Sequence, residues 1–319
     1  MDIAVFDPHE IPIVLGTLRA VTSNPSPAHA RFIELIGRIH GVNVDCLPPD
    51  PAPSFERAAS LVTDPHRRKR LLQLAIVSTM VDGNIDEHEA AVIARLAEAL
   101  EVDEPATRTM RQLAAHQNLS TRIDLTRRLL GKFAGEAWRA EGFTGLRKLV
   151  APMLFDGGES PSVAWRYKQL GLLPQGSFGR ALWEHFTTRQ FAFPGERGGI
   201  PERMVFHDLG HVLSGYDTDP TGEIQQAAFQ SGFVRDDGFG FLFFGIVQFH
   251  LGVKITPVAE PEVGYFDADR LVTALARGAA CKVDLSANWD FWSELPRPLE
   301  EVRHDFGIPP VVGGSRAAA

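Results

Sequence analysis

The sequence contains little cysteine and carries no surplus of positive charge. Its 319 residues include only two cysteines, Cys46 and Cys281, far apart in the chain. This is too few for a disulfide framework or a cysteine-based zinc site, and we expect a reducing intracellular compartment. The formal net charge of −8 argues against a general nucleic-acid-binding protein, because phosphate binding requires a basic surface.

Long apolar segments and targeting signals are also lacking. The most apolar stretch, FGFLFFGIVQFHLG at 239–252, is interrupted by glycine and is shorter than the span of about 18 residues that a membrane helix needs. The N-terminal MDIAVFDPHEIPIV has acidic residues and an early proline in place of the basic segment of a signal peptide. These features predict a cytoplasmic protein and leave open a peripheral contact with the inner face of the membrane.

Strand signals are weak throughout the sequence, whereas helical periodicity is strong. The hydrophobic content of 44% suffices for a sizeable core. In RLLQLAIVSTMVDGNIDEHEAAVIARLAEALEV at 70–102, two helical patterns flank a turn at Asp82 and Gly83. Asp86 can cap the second helix, with Glu89 as its capping-box partner. The stretch therefore predicts a helical hairpin.

The turn of this hairpin, DGNIDE, has some letters in common with a calcium-binding loop. Counted from Asp82, the sixth position is Glu87, where an EF-hand loop requires glycine. The twelfth is Ile93, where the loop requires a bidentate glutamate. Helix capping therefore accounts for the acidic residues better than calcium binding does.

A helix, then DGxIDxxE, then an alanine- and leucine-rich helix resembles the TerB-like (tellurite-resistance-protein B) helical domain. The resemblance covers about residues 68–115. It implies an all-α fold and, loosely, a role associated with the cell envelope. No functional residue is carried over from it.

Composition shifts predict where the chain divides. A stiff proline-rich loop, LPPDPAP, occupies 47–53, and glycine and proline interrupt the helical pattern in APMLFDGGESPS at 151–162. We predict an all-α protein with two helical domains, a TerB-like domain at 1–135 and a metal- and lipid-binding domain at 136–312. The small residues of 313–319 predict a disordered tail.

The segment PERMVFHDLGHVLSG at 201–215 is predicted to be a helix with Pro201 at its first position. Its two histidines, His207 and His211, lie opposite its apolar stripe. The stripe consists of Val205, Leu209 and Val212, with Leu213 at its edge. The residues beside the histidines are small, namely Gly210, Ser214 and Gly215. We expect this face to leave space for a ligand.

A glutamate follows where it can complete a metal site. Asp219 is predicted to cap a helix that begins at Pro220 and carries Glu223 in its first turn. If the chain folds back, this carboxylate meets the two imidazoles and leaves one metal position open. Asp208 is either a fourth ligand or a group that orients a histidine. Incidental surface histidines are the alternative. H-E-x-x-H protease chemistry is disfavoured, because aspartate is one methylene shorter than glutamate.

The segment HDLGHVLSGYDTDPTGE at 207–223 has the form H-D-x-x-H-x11-E and resembles the zinc-type motif of the Coq4 family of ubiquinone-biosynthesis proteins. YKQLGLLPQGSFGRAL at 167–182 and LPRPLEEVRHDFGI at 295–308 resemble the family's LPxGxxGR and closing segments. The resemblance covers about residues 150–310. Typical Coq4 proteins lack a TerB-like N-terminal half. The family's metal positions fall on His207, Asp208, His211 and Glu223.

This resemblance implies an all-α domain at a membrane surface that binds a polyprenylated aromatic quinone precursor. The implied reaction removes the ring carboxylate at C1 and replaces it with hydroxyl, with the four motif residues as catalytic and metal-binding groups. Implied partners include other quinone-biosynthesis proteins. The metal is expected to be divalent. Zinc suits the motif, while two histidines and one carboxylate also match the facial triad of non-haem iron, and the sequence does not choose between them.

Phenylalanines follow Glu223 closely and could line a groove for an isoprenoid tail. They are Phe229, Phe233, Phe239, Phe241, Phe243, Phe244 and Phe249, with intervening glycines at 232, 238, 240 and 245. Phe241 and Phe244 are our candidate substrate contacts, and ordinary core packing is the alternative. Arg180, in GSFGRAL, is a candidate partner for a substrate anion, with a structural salt bridge as the alternative.

Two other functions compete with a quinone-precursor enzyme. One is a non-catalytic lipid-binding scaffold with a structural metal, which closed coordination by His207, Asp208, His211 and Glu223 would favour. The other is a metal phosphohydrolase of the HD type, suggested by the adjacent His207 and Asp208. That class needs a further upstream histidine, for which His185 is the candidate, and a later aspartate, for which none stands out.

Overall fold

The computed structural model describes residues 1–22, 25–44, 54–117, 120–125, 160–255, 260–287 and 289–310. The proline-rich loop at 47–53, the predicted division at 135/136 and the tail at 313–319 lie outside these ranges. Cys46 lies outside them as well. Cys281 is a buried free thiol, and burial raises its pKa.

Every regular element in the described ranges is helical, which confirms the all-α class. The N-terminal part contains α1 (Ile11–Ala20), α2 (Pro27–Ile39), α3 (Phe55–Leu61), α4 (Pro65–Met80), α5 (Glu87–Leu100) and α6 (Ala106–Ala114). The C-terminal part contains α7 (Pro161–Gln169), α8 (Phe178–Thr188), α9 (Phe206–Ser214), α10 (Pro220–Phe233), α11 (Phe239–Phe249), α12 (Ala268–Ala280) and α13 (Leu299–Asp305). Among these helices, none has the length and apolar character that crossing a membrane requires.

The predicted helical hairpin is confirmed in α4 and α5. Asp86 accepts a hydrogen bond from the backbone N–H of Glu89 at 2.7 Å, and the Glu89 side chain completes the capping box. Helix α4 is buried at every residue from Arg70 to Met80. The reason is that α4 is surrounded, since it packs against α1, α2, α5, α6 and α11.

The N-terminal and C-terminal parts share one hydrophobic core. Helix α2 packs against α12, and α4 packs against α11. Arg31 forms a bidentate ion pair with Asp269, at 2.6 and 2.9 Å. The buried His250 donates from Nε2 to the Val81 carbonyl at 3.0 Å and accepts at Nδ1 from the Phe266 N–H at 3.2 Å. The division into two domains stays a prediction, and the described parts of both are in direct contact.

Helix α10 is central to the C-terminal part, where it contacts α9, α11 and α12. Glycines let these helices approach closely. A Cβ at Gly278 would lie 2.0 Å from the Phe229 carbonyl oxygen, and one at Gly232 would lie 2.5 Å from the α12 backbone. A Cβ at Gly245 would lie 2.6 Å from the Ala227 Cβ. Neighbouring helices therefore occupy the space beside glycines 232 and 245, which favours the core-packing alternative at these two positions.

Candidate metal centre

The histidine helix is shorter than the sequence suggested. Pro201 precedes a 3-10 helix at Glu202–Met204, and α9 begins at Phe206. The helix ends at Ser214 and is capped by Gly215, whose φ of 76° places it in the left-handed region that favours glycine. The predicted apolar stripe is buried, and so is every other residue of α9 except His207. The stripe consists of Val205, Leu209, Val212 and Leu213.

The following helix brings Glu223 to the two histidines. Asp219 caps α10 by accepting the N–H of Gly222 at 2.6 Å, and Pro220 is in the first turn, as predicted. Because the loop between α9 and α10 is short, the first turn of α10 lies beside the histidine face of α9. The chain therefore does fold back after α9, which the sequence made possible but did not require.

His207, His211 and Glu223 form a compact group of metal-type donors. The two Nε2 atoms are 3.2 Å apart. His207 Nε2 lies 3.4 Å from Glu223 Oε2, and His211 Nε2 lies 3.5 Å from Glu223 Oε1. Zinc–ligand bonds of 2.0–2.1 Å at tetrahedral angles place ligand atoms about 3.4 Å apart. The three donors therefore have the spacing that a single divalent ion requires.

Hydrogen bonds on the far side of each ring direct both histidines toward this point. His211 donates from Nδ1 to the Tyr216 carbonyl at 3.1 Å. His207 donates from Nδ1 to Gln230 Oε1 at 3.1 Å. With Nδ1 protonated, each neutral ring keeps its Nε2 lone pair for a metal. An oxygen acceptor behind each ring is the usual support for a metal-bound histidine.

The charges of the group are strongly coupled. Burial alone would lower the pKa of His207, but the hydrogen bond and negative charge of Glu223 outweigh it and raise the pKa to about 9. Burial would raise the pKa of Glu223, and the two imidazoles instead hold it well below its usual range. Without a metal, His207 is therefore protonated at neutral pH, and its imidazolium faces the ionised carboxylate of Glu223. A bound divalent ion would replace that proton.

One side of the group is accessible. The side chain of His211 is 1% exposed, that of Glu223 is 18% exposed and that of His207 is 38% exposed. Because His211 is buried and His207 is partly exposed, a small molecule can approach the metal position from the His207 side. This exposure fits an open coordination position rather than a closed structural site.

Asp208 does not join the three donors. Its Oδ1 lies 2.9 Å from His185 Nε2, which donates to it from α8. Both side chains are buried, and burial lowers the pKa of His185 despite the attraction of Asp208. The His185 ring is stacked near the His211 ring, with centroids 5.6 Å apart. As placed here, Asp208 is not a fourth ligand, and the histidine that it orients is His185.

The space expected beside the histidines is filled. A Cβ at Gly210 would lie 2.1 Å from Gln226 Nε2 of α10. The Gln226 amide donates to the His207 carbonyl at 3.4 Å and accepts from the Ser214 hydroxyl at 2.9 Å. The small residues of α9 therefore allow α10 to cross closely, which brings Glu223 within reach. Gly210 and Ser214 therefore face Gln226 of α10 rather than a ligand.

Gln226 and Gln230 are the supporting residues that the sequence analysis missed. They lie three and seven residues after Glu223, on the same face of α10. Both are buried. The available signal was the helical spacing of Glu223, Gln226 and Gln230.

The other candidate substrate residues lie outside the donor group. Arg180 pairs with Glu184 at 2.8 Å and donates to the Gly171 carbonyl, which supports its structural alternative. Phe241 and Phe244 are only partly buried. Phe241 packs edge-on against Phe206, the residue before His207, with centroids 6.1 Å apart. The remaining five phenylalanines of the cluster are buried in the core, namely Phe229, Phe233, Phe239, Phe243 and Phe249.

A second group of metal-type donors is present at Asp7, His9 and Glu10. The Arg67 guanidinium pairs with Asp7 at 2.8 Å and with Glu10 at 3.3 Å. A cation of the protein itself therefore pairs with both carboxylates and offsets half of their charge. This arrangement disfavours a metal ion there.

Comparison with known proteins identifies one domain. Residues 28–112 match the family model described as tellurite resistance protein TerB. The match begins earlier than the predicted span of 68–115, and it covers α2 to α6. No curated protein matches the chain. The chain therefore contains a helical TerB domain, and the metal-type donor group of α9 and α10 lies outside it.

Proposed function

We propose that this protein is an enzyme that uses a divalent metal held by His207, His211 and Glu223. The proposal rests mainly on one observation: the two histidine Nε2 atoms and the Glu223 carboxylate lie as close together as the ligands of one metal ion. Asp208 is bound to His185, and His207 is partly exposed. These two features support a three-ligand site with an open position over a closed four-ligand structural site.

The chain's own residues would prepare the site for a ligand. The Tyr216 carbonyl fixes the buried His211, Gln230 fixes His207, and Glu223 supplies the negative charge that favours a cation. A bound zinc or iron ion would act as a Lewis acid for a substrate oxygen, and iron would also allow oxygen-dependent chemistry.

The resemblance of residues 150–310 to the Coq4 family suggests the substrate class. We propose the head group of a prenylated aromatic acid, with loss of the C1 carboxylate and its replacement by hydroxyl. This change removes two electrons from the substrate. With dioxygen as the oxidant, one oxygen atom enters the ring hydroxyl and the other leaves as water, so a two-electron reductant must be supplied as well. Phe241 is partly buried and packs against Phe206, the residue before His207, and we propose it as the aromatic contact for the substrate ring.

A turnover assay tests the proposal. The protein is loaded with ferrous iron and incubated in air, with ascorbate as the reductant and a prenylated hydroxybenzoic acid that carries ¹³C in its carboxylate. Zinc-loaded protein, whose metal has no redox chemistry, is run in parallel. We expect labelled CO₂ and a hydroxylated ring product by mass spectrometry. The matched control is Glu223→Gln, which keeps the side-chain shape and removes the charge. Absence of labelled CO₂ with a fully metal-loaded wild-type protein would contradict the proposed reaction.

A non-catalytic lipid-binding scaffold is the second candidate. The exposed side chains of Trp165 and Leu172, at 62% and 81%, favour it, because apolar groups at a surface suit contact with lipid or a partner. In the same assay this candidate predicts retention of the prenylated acid without turnover. The HD-type phosphohydrolase is not supported, because His207 and Asp208 point to different groups and do not share one metal position.

A further inference from the structure

The C-terminal end of the histidine helix α9 is held by side chains from later in the chain. The last four carbonyl groups of a helix have no partner within the helix. In α9, the His211 carbonyl accepts the backbone N–H of Gly215 at 2.8 Å. The other three carbonyls belong to Val212, Leu213 and Ser214.

Two arginines bind these three carbonyls. Arg303 of α13 donates from Nη2 to the Val212 carbonyl at 2.7 Å and from Nε to the Leu213 carbonyl at 2.9 Å. Arg277 of α12 donates from Nη2 to the Ser214 carbonyl at 3.0 Å. Since Nε and Nη2 lie on one edge of a planar guanidinium, Arg303 holds two successive carbonyls at once, which a lysine cannot do. Both positive charges also face the negative end of the helix dipole.

This cap is connected to a donor of the metal-type group. Tyr216, one residue beyond the cap glycine, provides the carbonyl that accepts the His211 Nδ1–H at 3.1 Å. The Arg277 guanidinium lies over the Tyr216 ring, 5.0 Å from its centroid. Arg277 is buried and is anchored by the Pro309 carbonyl at 2.8 Å. The two arginines therefore fix the backbone before the turn at Gly215, and Arg277 also packs on the Tyr216 side chain after it.

We propose that Arg303 and Arg277 are positioning residues of the metal centre, which set metal affinity by fixing the orientation of His211. The inference rests on the proposed metal site. If the cap loosens, the turn at Gly215 can relax and the Tyr216 carbonyl moves. The His211 Nε2 then no longer points at its two partners. Groups that orient a metal-bound histidine contribute about tenfold or more to metal affinity.

The test is a cobalt(II) titration of the full chain, followed by visible absorption. The variants are Arg303→Lys, Arg303→Met and Arg277→Met. The matched control is Arg270→Met, because Arg270 is also on α12 and pairs with Asp267 at an exposed position. We expect about tenfold weaker cobalt(II) binding in the three variants and a changed absorption spectrum. The control should keep wild-type affinity and spectrum.

The lysine variant and a stability measurement distinguish an effect on the orientation of His211 from an effect on the stability of the whole fold. If only the charge at the helix end matters, Arg303→Lys restores wild-type binding, and the proposal is overturned. Thermal unfolding of the metal-free variants measures their structural role. Lowered stability with an unchanged cobalt(II) spectrum and affinity also overturns the proposal. If Arg303→Met does not fold, Arg303→Lys and Arg277→Lys decide the question. Wild-type protein that binds no cobalt(II) overturns the metal site itself, and the positioning role with it.

Discussion

The metal affinity of the donor group is expected to rise steeply with pH between about 7 and 9. Glu223 outweighs the effect of burial on His207 and raises its pKa to about 9. Only the neutral imidazole binds a metal, so binding near pH 7 must displace a proton. Relative to the plateau above pH 9, this competition weakens binding about 100-fold at pH 7 and about tenfold at pH 8.

Screening by water makes the pH dependence of metal affinity smaller than a pKa of about 9 alone would give. The His207 side chain is 38% exposed, and water screens part of its attraction to Glu223. We therefore take about tenfold as the smallest gain in affinity between pH 7 and pH 9. The same pKa shift acts on the metal-free fold. Because the folded-state pKa lies above the ordinary value of 6.5, protonation stabilises the fold at pH below 6.5, and this contribution is lost as pH rises through about 9.

Calorimetric titration with zinc in two buffers of different ionisation enthalpy measures the displaced proton directly. At pH 7.5 we expect about one proton released from the group per metal bound. Glu223→Gln is the control, because without the carboxylate His207 is no longer held protonated. That variant should bind more weakly and release almost no proton. The reasoning is refuted if wild-type affinity is flat from pH 7 to 9 and no proton is released.

Three further predictions concern the residues around the group. Asp208→Asn should retain metal within about tenfold of wild-type affinity, because Asp208 bonds to His185; complete loss of metal in elemental analysis would identify it as a ligand. Gln230→Leu should weaken cobalt(II) binding about 10- to 100-fold while Gln230→Glu preserves it, and equal affinities would contradict the proposed orienting bond. Gly210→Ala should displace the buried Gln226 amide and lower the free energy of unfolding by about 1–3 kcal/mol in urea denaturation, whereas unchanged stability would show that the helix crossing adapts.

Features that depend on neighbours along the chain could be predicted from the sequence. The capping box of Asp86 and Glu89 and the cap at Asp219 each involve residues three apart. The pairing of His207 with His211 follows from helical spacing. Local geometry nearly determines these contacts, so a motif is sufficient to find them.

Features that depend on how helices pack could not be predicted in the same way. Asp208 meets His185 because α8 packs against α9. The sequence offered His185 only as a further ligand in the HD-type alternative and did not predict this bond. Gly210 was interpreted as space for a ligand, whereas a glycine equally allows a close helix crossing, and Gln226 fills the space. The burial of α4 on all sides likewise follows from contacts with five other helices.

The most direct test of the central claim is the metal content of purified protein, by elemental mass spectrometry, for wild type, His211→Ala, Glu223→Ala and Asp208→Asn. The open three-ligand site predicts about one zinc or iron ion per wild-type chain, loss of that ion in the His211 and Glu223 variants, and retention in Asp208→Asn. Wild-type protein without metal, and with no thermal shift on addition of zinc, iron or cobalt, would contradict the claim.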